Sequence, residues 1–169
     1  MEVKESPLVA RLARLLGPTR QPLTIYVLKV TAITLIPSLM ISALLGLALG
    51  GRGLPSFQAT GRLEWVLRLA LIVPLIETAL MWPILLVIAR FNLSMVRTAL
   101  VSALVWALIH SWTAFTWGGS IFWPFFVFSY CFLEWRKLSL PKALGVTCLL
   151  HMCHNAIPVL ALYLLAFRR

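Results

Sequence analysis

The stretch VLRLALIVPLIETALMWPILLVIA, residues 66–89, decides how this chain is read. It is apolar except for Arg68 near its start and Glu77 and Thr78 near its middle. As a helix it is long enough to cross the ~30 Å hydrocarbon core of a bilayer. A carboxylate at that depth costs roughly 2.5–3.5 kcal/mol even on the lenient insertion scale. No Lys or Arg lies deep enough in any apolar run to neutralise it. The deep titratable candidates are His110, His151 and His154, every histidine in the chain. A buried acid whose ionic partners can only be three buried imidazoles reads as a functional site.

Composition agrees with the membrane reading. The 169 residues are 61% hydrophobic and 12% charged, with a mean hydropathy of +0.94. Those values place the chain among integral membrane proteins. A net charge of +10 would suggest nucleic acid in a soluble protein. Here the cations cluster between the apolar runs, so anionic lipid headgroups and topology account for them and no nucleic-acid partner is expected. Cys131, Cys148 and Cys153 lie in or beside apolar runs and read as small hydrophobes, not as a disulfide framework. Residues 1–17 lack an uninterrupted apolar core and a small-residue cleavage pattern, so no signal peptide is expected.

The punctuation of the chain gives an all-α fold, a polytopic transmembrane helix bundle of about five spans. Residues 1–24 form an N-terminal cytoplasmic amphipathic segment, and 25–169 the transmembrane domain. In PLVARLARLLG, residues 7–17, Leu8, Leu12, Leu15 and Leu16 share one helical face with Arg11 and Arg14 between, the pattern of an interfacial helix. Spans are expected at 25–49, 66–89, 96–117, 120–134 and 143–166. The fourth is short for a bilayer and holds Pro124. Trp117-Gly118-Gly119-Ser120 reads as a tight turn before it, and Glu134-Trp135-Arg136-Lys137 as a solvated loop after it. Ten Lys and Arg on one side against five on the other place the N-terminus in the cytoplasm. Trp112, Trp117, Trp123 and Trp135 read as belt and packing residues, Pro83 and Pro124 as helix-shaping ones, and Ser38, Ser42 and Gly46 as a helix-packing face.

Helix rise puts the polar groups at a common depth. Glu77 lies roughly 18 Å from the cytoplasmic end of its span, His110 about 21 Å, His151 about 13 Å and Asn155 about 19 Å. His151 and Asn155 are four apart and share a helix face, which His154 borders as a packing or supporting residue. Glu plus His can activate a water in two ways. Glu77 can act as general base with His110 holding the same water, while His151 and Asn155 donate to the developing oxyanion. Alternatively Glu77, His110 and His151 form a two-His, one-Glu set that leaves Zn2+ an open position for water. The residues serve both versions equally.

Pro74-Leu75-Ile76-Glu77-Thr78, then Trp106-x-x-x-His110, then His151-x-x-x-Asn155 resemble the three motifs of the CPBP family. These are the CAAX proteases and bacteriocin-processing enzymes, also called the Abi family of intramembrane metalloproteases. The resemblance covers roughly residues 70–160. It implies a membrane endopeptidase, in a bacterial inner membrane, whose Glu77 and His110 activate water while His151 and Asn155 complete the site. The implied substrate is a membrane-associated peptide or lipidated protein, of prenylated CAAX or leader-peptide type. The family's first motif is Glu-Glu-x-x-x-Arg, with a Glu-Thr-x-x-x-Gln variant; here Thr78 and Trp82 stand at its last two positions. If Glu and Arg pair there, losing both leaves no orphan charge in lipid.

Three other functions stay open on the residues alone. A non-catalytic protein of the same fold would serve bacteriocin immunity or partner binding. A bis-histidine haem protein would use His110 with His151 or His154. A proton-coupled transporter would carry its ion on Glu77.

Overall fold

The computed structural model describes residues 7–53 and 63–166, and every regular element among them is helical. Residues 1–6, 54–62 and 167–169 lie outside the described residues, and with them Lys4, Arg62, Arg168 and Arg169 of the charge count above. Helix α1, Pro7–Leu16, is the expected amphipathic segment. Pro22 caps the start of α2, Leu23–Ala48, and Gly50 and Gly51 end it at φ of 57° and 77°, a conformation that side chains resist. The central run forms α3, Leu63–Ala89, with a π-helical turn at Arg68–Ile72. After Asn92, at φ 51°, Ser94 caps α4, Met95–Ser111, by accepting from the Arg97 amide. Helix α5 is Trp117–Arg136 and α6 is Leu140–Ala166.

Three of these helices, α2, α3 and α6, are long and apolar enough to cross a membrane; α4 is apolar but shorter. At 17 residues α4 spans about 26 Å, a little under the hydrocarbon thickness. Helix α5 is the centre of the bundle, packed against α1, α2, α4 and α6. All eight residues from Phe125 to Phe132 are buried, so its aromatic side chains fill the core. Helix α4 meets it with small residues: Ala99, Ala103 and Ala107 are buried, and Ser129 Oγ donates to Ser102 Oγ at 2.8 Å. The outer faces carry the opposite pattern. Leu28 is 71% exposed, Leu47 81% and Leu108 63%, an apolar mantle that water would not tolerate and lipid would.

Two expectations from the sequence are corrected around α5. Trp117 to Ser120 are not a tight turn but the first turn of this helix. Gly118 is needed for close approach, since a Cβ there would collide with Ser111 Oγ and the Ala107 carbonyl on α4. Glu134 is not in a solvated loop: it is 5% exposed in the last turn of α5, paired with Lys137 at 2.9 Å. Gly17 makes room for it, with the Glu134 carboxylate 3.3 Å from where a Cβ would sit.

Candidate functional site

Three helices bring the expected residues together. Glu77 on α3 lies between two imidazoles, with Oε1 3.3 Å from His110 Nε2 of α4 and Oε2 3.3 Å from His151 Nε2 of α6. His110 is held from behind, as its Nδ1 donates to the Trp106 carbonyl at 2.9 Å. His151 Nδ1 meets the Thr78 hydroxyl at 3.4 Å, so Thr78 steadies the second imidazole one residue on from Glu77. Trp106 thus supports the site through its backbone, while its ring stacks on Phe125 at 4.7 Å.

These bonds fix the proton inventory. A carbonyl only accepts, so His110 carries a hydrogen on Nδ1. Two lone pairs, one on Nε2 and one on the carboxylate, cannot face each other without a proton to share. One proton held between Glu77 and His110, as carboxylate and imidazolium or as acid and neutral ring, would satisfy both. Both forms are uncharged as a pair, which removes most of the cost of burying the acid. At 3.3 Å the contacts are longer than a tight charge-assisted hydrogen bond of about 2.7–2.9 Å, leaving the pair open to a third participant.

Two ligands of a tetrahedral zinc ion also sit roughly 3.3 Å apart, so each separation alone suits a shared metal. The carboxylate turns one oxygen to each imidazole. The same arrangement also suits proton transfer between carboxylate and imidazole.

The triad forms part of the wall of a cavity of about 360 Å³ between α2, α3, α4, α5 and α6. Leu35, Leu39, Val73, Ile121, Val159 and Leu162 make most of its surface apolar, with Ser38, Ser42, Ser120, His154 and Asn155 adding polar groups. Ser38 and Ser42, expected to pack helices, do bond across and along them, Ser38 Oγ to Ser120 O and Ser42 Oγ to Ser38 O, both at 2.8 Å. They also line the cavity, as does Pro124.

Asn155 is placed by a chain of backbone causes. Within the π turn the Val73 amide bonds to the Arg68 carbonyl, five residues back, and so bypasses Leu69. Pro74 has no N–H to offer in its place. The Leu69 carbonyl is left over, and Asn155 Nδ2 donates to it at 3.3 Å. One amide hydrogen of Asn155 therefore ties α6 to α3, and the same side chain lines the cavity. Such π turns concentrate at functional sites because they release backbone groups.

The sequence reading missed the aromatic wall supplied by α5. Phe125 lies 5.5 Å from His110 and 5.4 Å from His151. Phe128 lies 4.8 Å from His151 and 5.7 Å from His154, and Trp117 meets His110 edge-on at 4.8 Å. Of the tryptophans read as belt and packing residues, Trp117 packs at the cavity wall, whereas Trp112 is 92% exposed. The signal was the aromatic density of WGGSIFWPFFVF at 117–128, which no spacing rule ties to His110. Trp82 is not at the cavity; it packs on Phe132 at 5.7 Å under the Arg136 guanidinium at 5.0 Å. No family model, curated protein or solved structure matches this chain.

Proposed function

We propose that this chain is an intramembrane endopeptidase of the CPBP type, hydrolysing a peptide bond of a membrane-associated substrate. One observation carries the reading: a carboxylate from one apolar helix faces imidazoles from two others on the wall of a largely apolar cavity. In this mechanism a water beside the pair gives its proton to the Glu77 carboxylate as its oxygen attacks the scissile carbonyl. The Nε2–H of His110 in its imidazolium form, the corresponding hydrogen of His151 and the second amide hydrogen of Asn155 receive the oxyanion. Glu77 then passes the proton to the leaving amine, and the C–N bond breaks. The apolar cavity keeps bulk water from competing with these dipoles.

The bundle is read as five spans with the N-terminus in the cytoplasm. Among the described residues, Arg11, Arg14, Arg20, Lys29, Arg90, Arg97, Arg136, Lys137 and Lys142 belong to the end that carries α1. Arg52 and Arg68 belong to the other, and the asymmetry supports that orientation. A second reading, a non-catalytic binding or immunity protein, is favoured by Thr78 and Trp82, the latter turned away from the cavity. The test maps new peptide termini in membranes carrying wild type or Glu77→Gln at matched, folded expression. Termini lost only in the variant establish hydrolysis and identify the substrate; identical maps favour the non-catalytic reading.

A further inference from the structure

The mechanism leaves one imidazole without a role. His154 is 8% exposed, lines the cavity and is held edge-on against Phe128. Its Nδ1 lies 3.0 Å from Thr34 Oγ1, and Thr34 is fully buried behind the α2 wall. The Thr34 hydroxyl spends its single hydrogen on the Thr31 carbonyl at 2.9 Å. Its oxygen can then only accept, so the hydrogen of the neutral His154 ring sits on Nδ1. Nε2 is left as a bare lone pair, and among the described residues nothing donates to it.

We propose that His154 contacts substrate: its Nε2 accepts a hydrogen bond from a backbone N–H of the chain segment bound in the cavity. The idea rests on the peptidase reading and deepens it. A peptide leaving water for an apolar cavity brings N–H groups that each require an acceptor. Ser38 and Ser42, whose hydroxyl hydrogens go to carbonyls, offer oxygen lone pairs. Among the ring nitrogens, His110 and His151 turn their Nε2 atoms to Glu77. His154 Nε2 is the imidazole nitrogen kept free, and Thr34 is the positioning residue that keeps it so.

The test begins without substrate. In the full chain in lipid nanodiscs, nitrogen NMR of labelled histidines should show His154 protonated on Nδ1 and bare on Nε2. Thr34→Val should mix the two tautomers and Thr34→Ser restore one. A hydrogen on Nε2 in wild type overturns the proposal. Next, a long-chain secondary amide is titrated against its N-methylated counterpart, which lacks the N–H. The His154 Nε2 resonance should move with the first alone; movement with both, or with neither, overturns it. For a peptide whose cleavage depends on Glu77, His154→Phe should raise KM roughly tenfold, the effect of one unmade buried hydrogen bond, with kcat nearly unchanged. An unchanged KM sinks the proposal while leaving the peptidase reading standing. Absence of any Glu77-dependent cleavage sinks that reading, and the NMR results still decide the tautomer and the N–H recognition.

Discussion

Two buried polar clusters sit at different levels of this bundle, and they are built on opposite plans. Near the end that carries α1, Tyr26 OH donates to the Leu16 carbonyl at 2.6 Å and receives the Trp135 indole N–H at 2.9 Å. Cys131 Sγ lies 3.4 Å from the same hydroxyl, and Glu134 closes on Lys137 nearby. That cluster is short-bonded, fully partnered and remote from the cavity. It staples the amphipathic helix α1 and the start of α2 to the end of α5. In the triad, by contrast, Glu77 meets both imidazoles at the longer distance of 3.3 Å and one side is open space. Closed networks add stability; a network left loose beside a cavity leaves its groups able to react.

That contrast is broken most severely at Glu77. Glu77→Gln keeps size and hydrogen bonding but cannot take a proton, so cleavage should fall at least about 100-fold. Thermal unfolding in nanodiscs should stay near wild type; a large loss of stability would mean that Glu77 belongs with the staple. Tyr26→Phe is the mirror experiment. It leaves the Leu16 carbonyl and the Trp135 N–H without their partner and should cost about 1–3 kcal/mol. Cleavage per folded molecule should not change, and a specific loss of activity would erase the distinction between the clusters.

Smaller effects sharpen it. Pro74→Ala restores an N–H to α3, lets the helix reclaim its carbonyls and deprives Asn155 of Leu69. The expected result is a fall in cleavage of several-fold, with unfolding unchanged or shifted upward, since Pro is a poor helix-interior residue. Loss of both activity and stability would show that the π turn is a structural necessity. Arg136→Gln removes the cation over Trp82 and should cost only about 0.5–1 kcal/mol, read as a slight drop in melting temperature with unaltered cleavage.

Much of the site was legible because membrane insertion penalises polar residues so strongly. Glu77, His110, His151 and Asn155 stood out against apolar runs, and helix rise alone put them at one level. What stayed hidden depended on which groups were left over after folding. Thr34 reads as one more small residue of a span until its hydroxyl is seen behind His154. Phe125 and Phe128 look like ordinary apolar filling until α5 takes the centre and turns them to the imidazoles. The Trp117–Ser120 error has the same origin. Two glycines beside a serine satisfy the rules for a turn, and only the closeness of α4 shows that Gly118 serves helix packing.

The sequence by itself determined the helical class, the apolar character of the long helices and the identity of the polar residues within them. Each follows from local properties, namely chain length per turn, hydropathy and the penalty on buried charge. The tertiary structure decided which nitrogen faces which oxygen, which carbonyl the π turn releases and that α5 is the core. Those outcomes depend on packing between distant segments, where a few tenths of an ångström or one missing Cβ selects the partner, and no one segment carries that information.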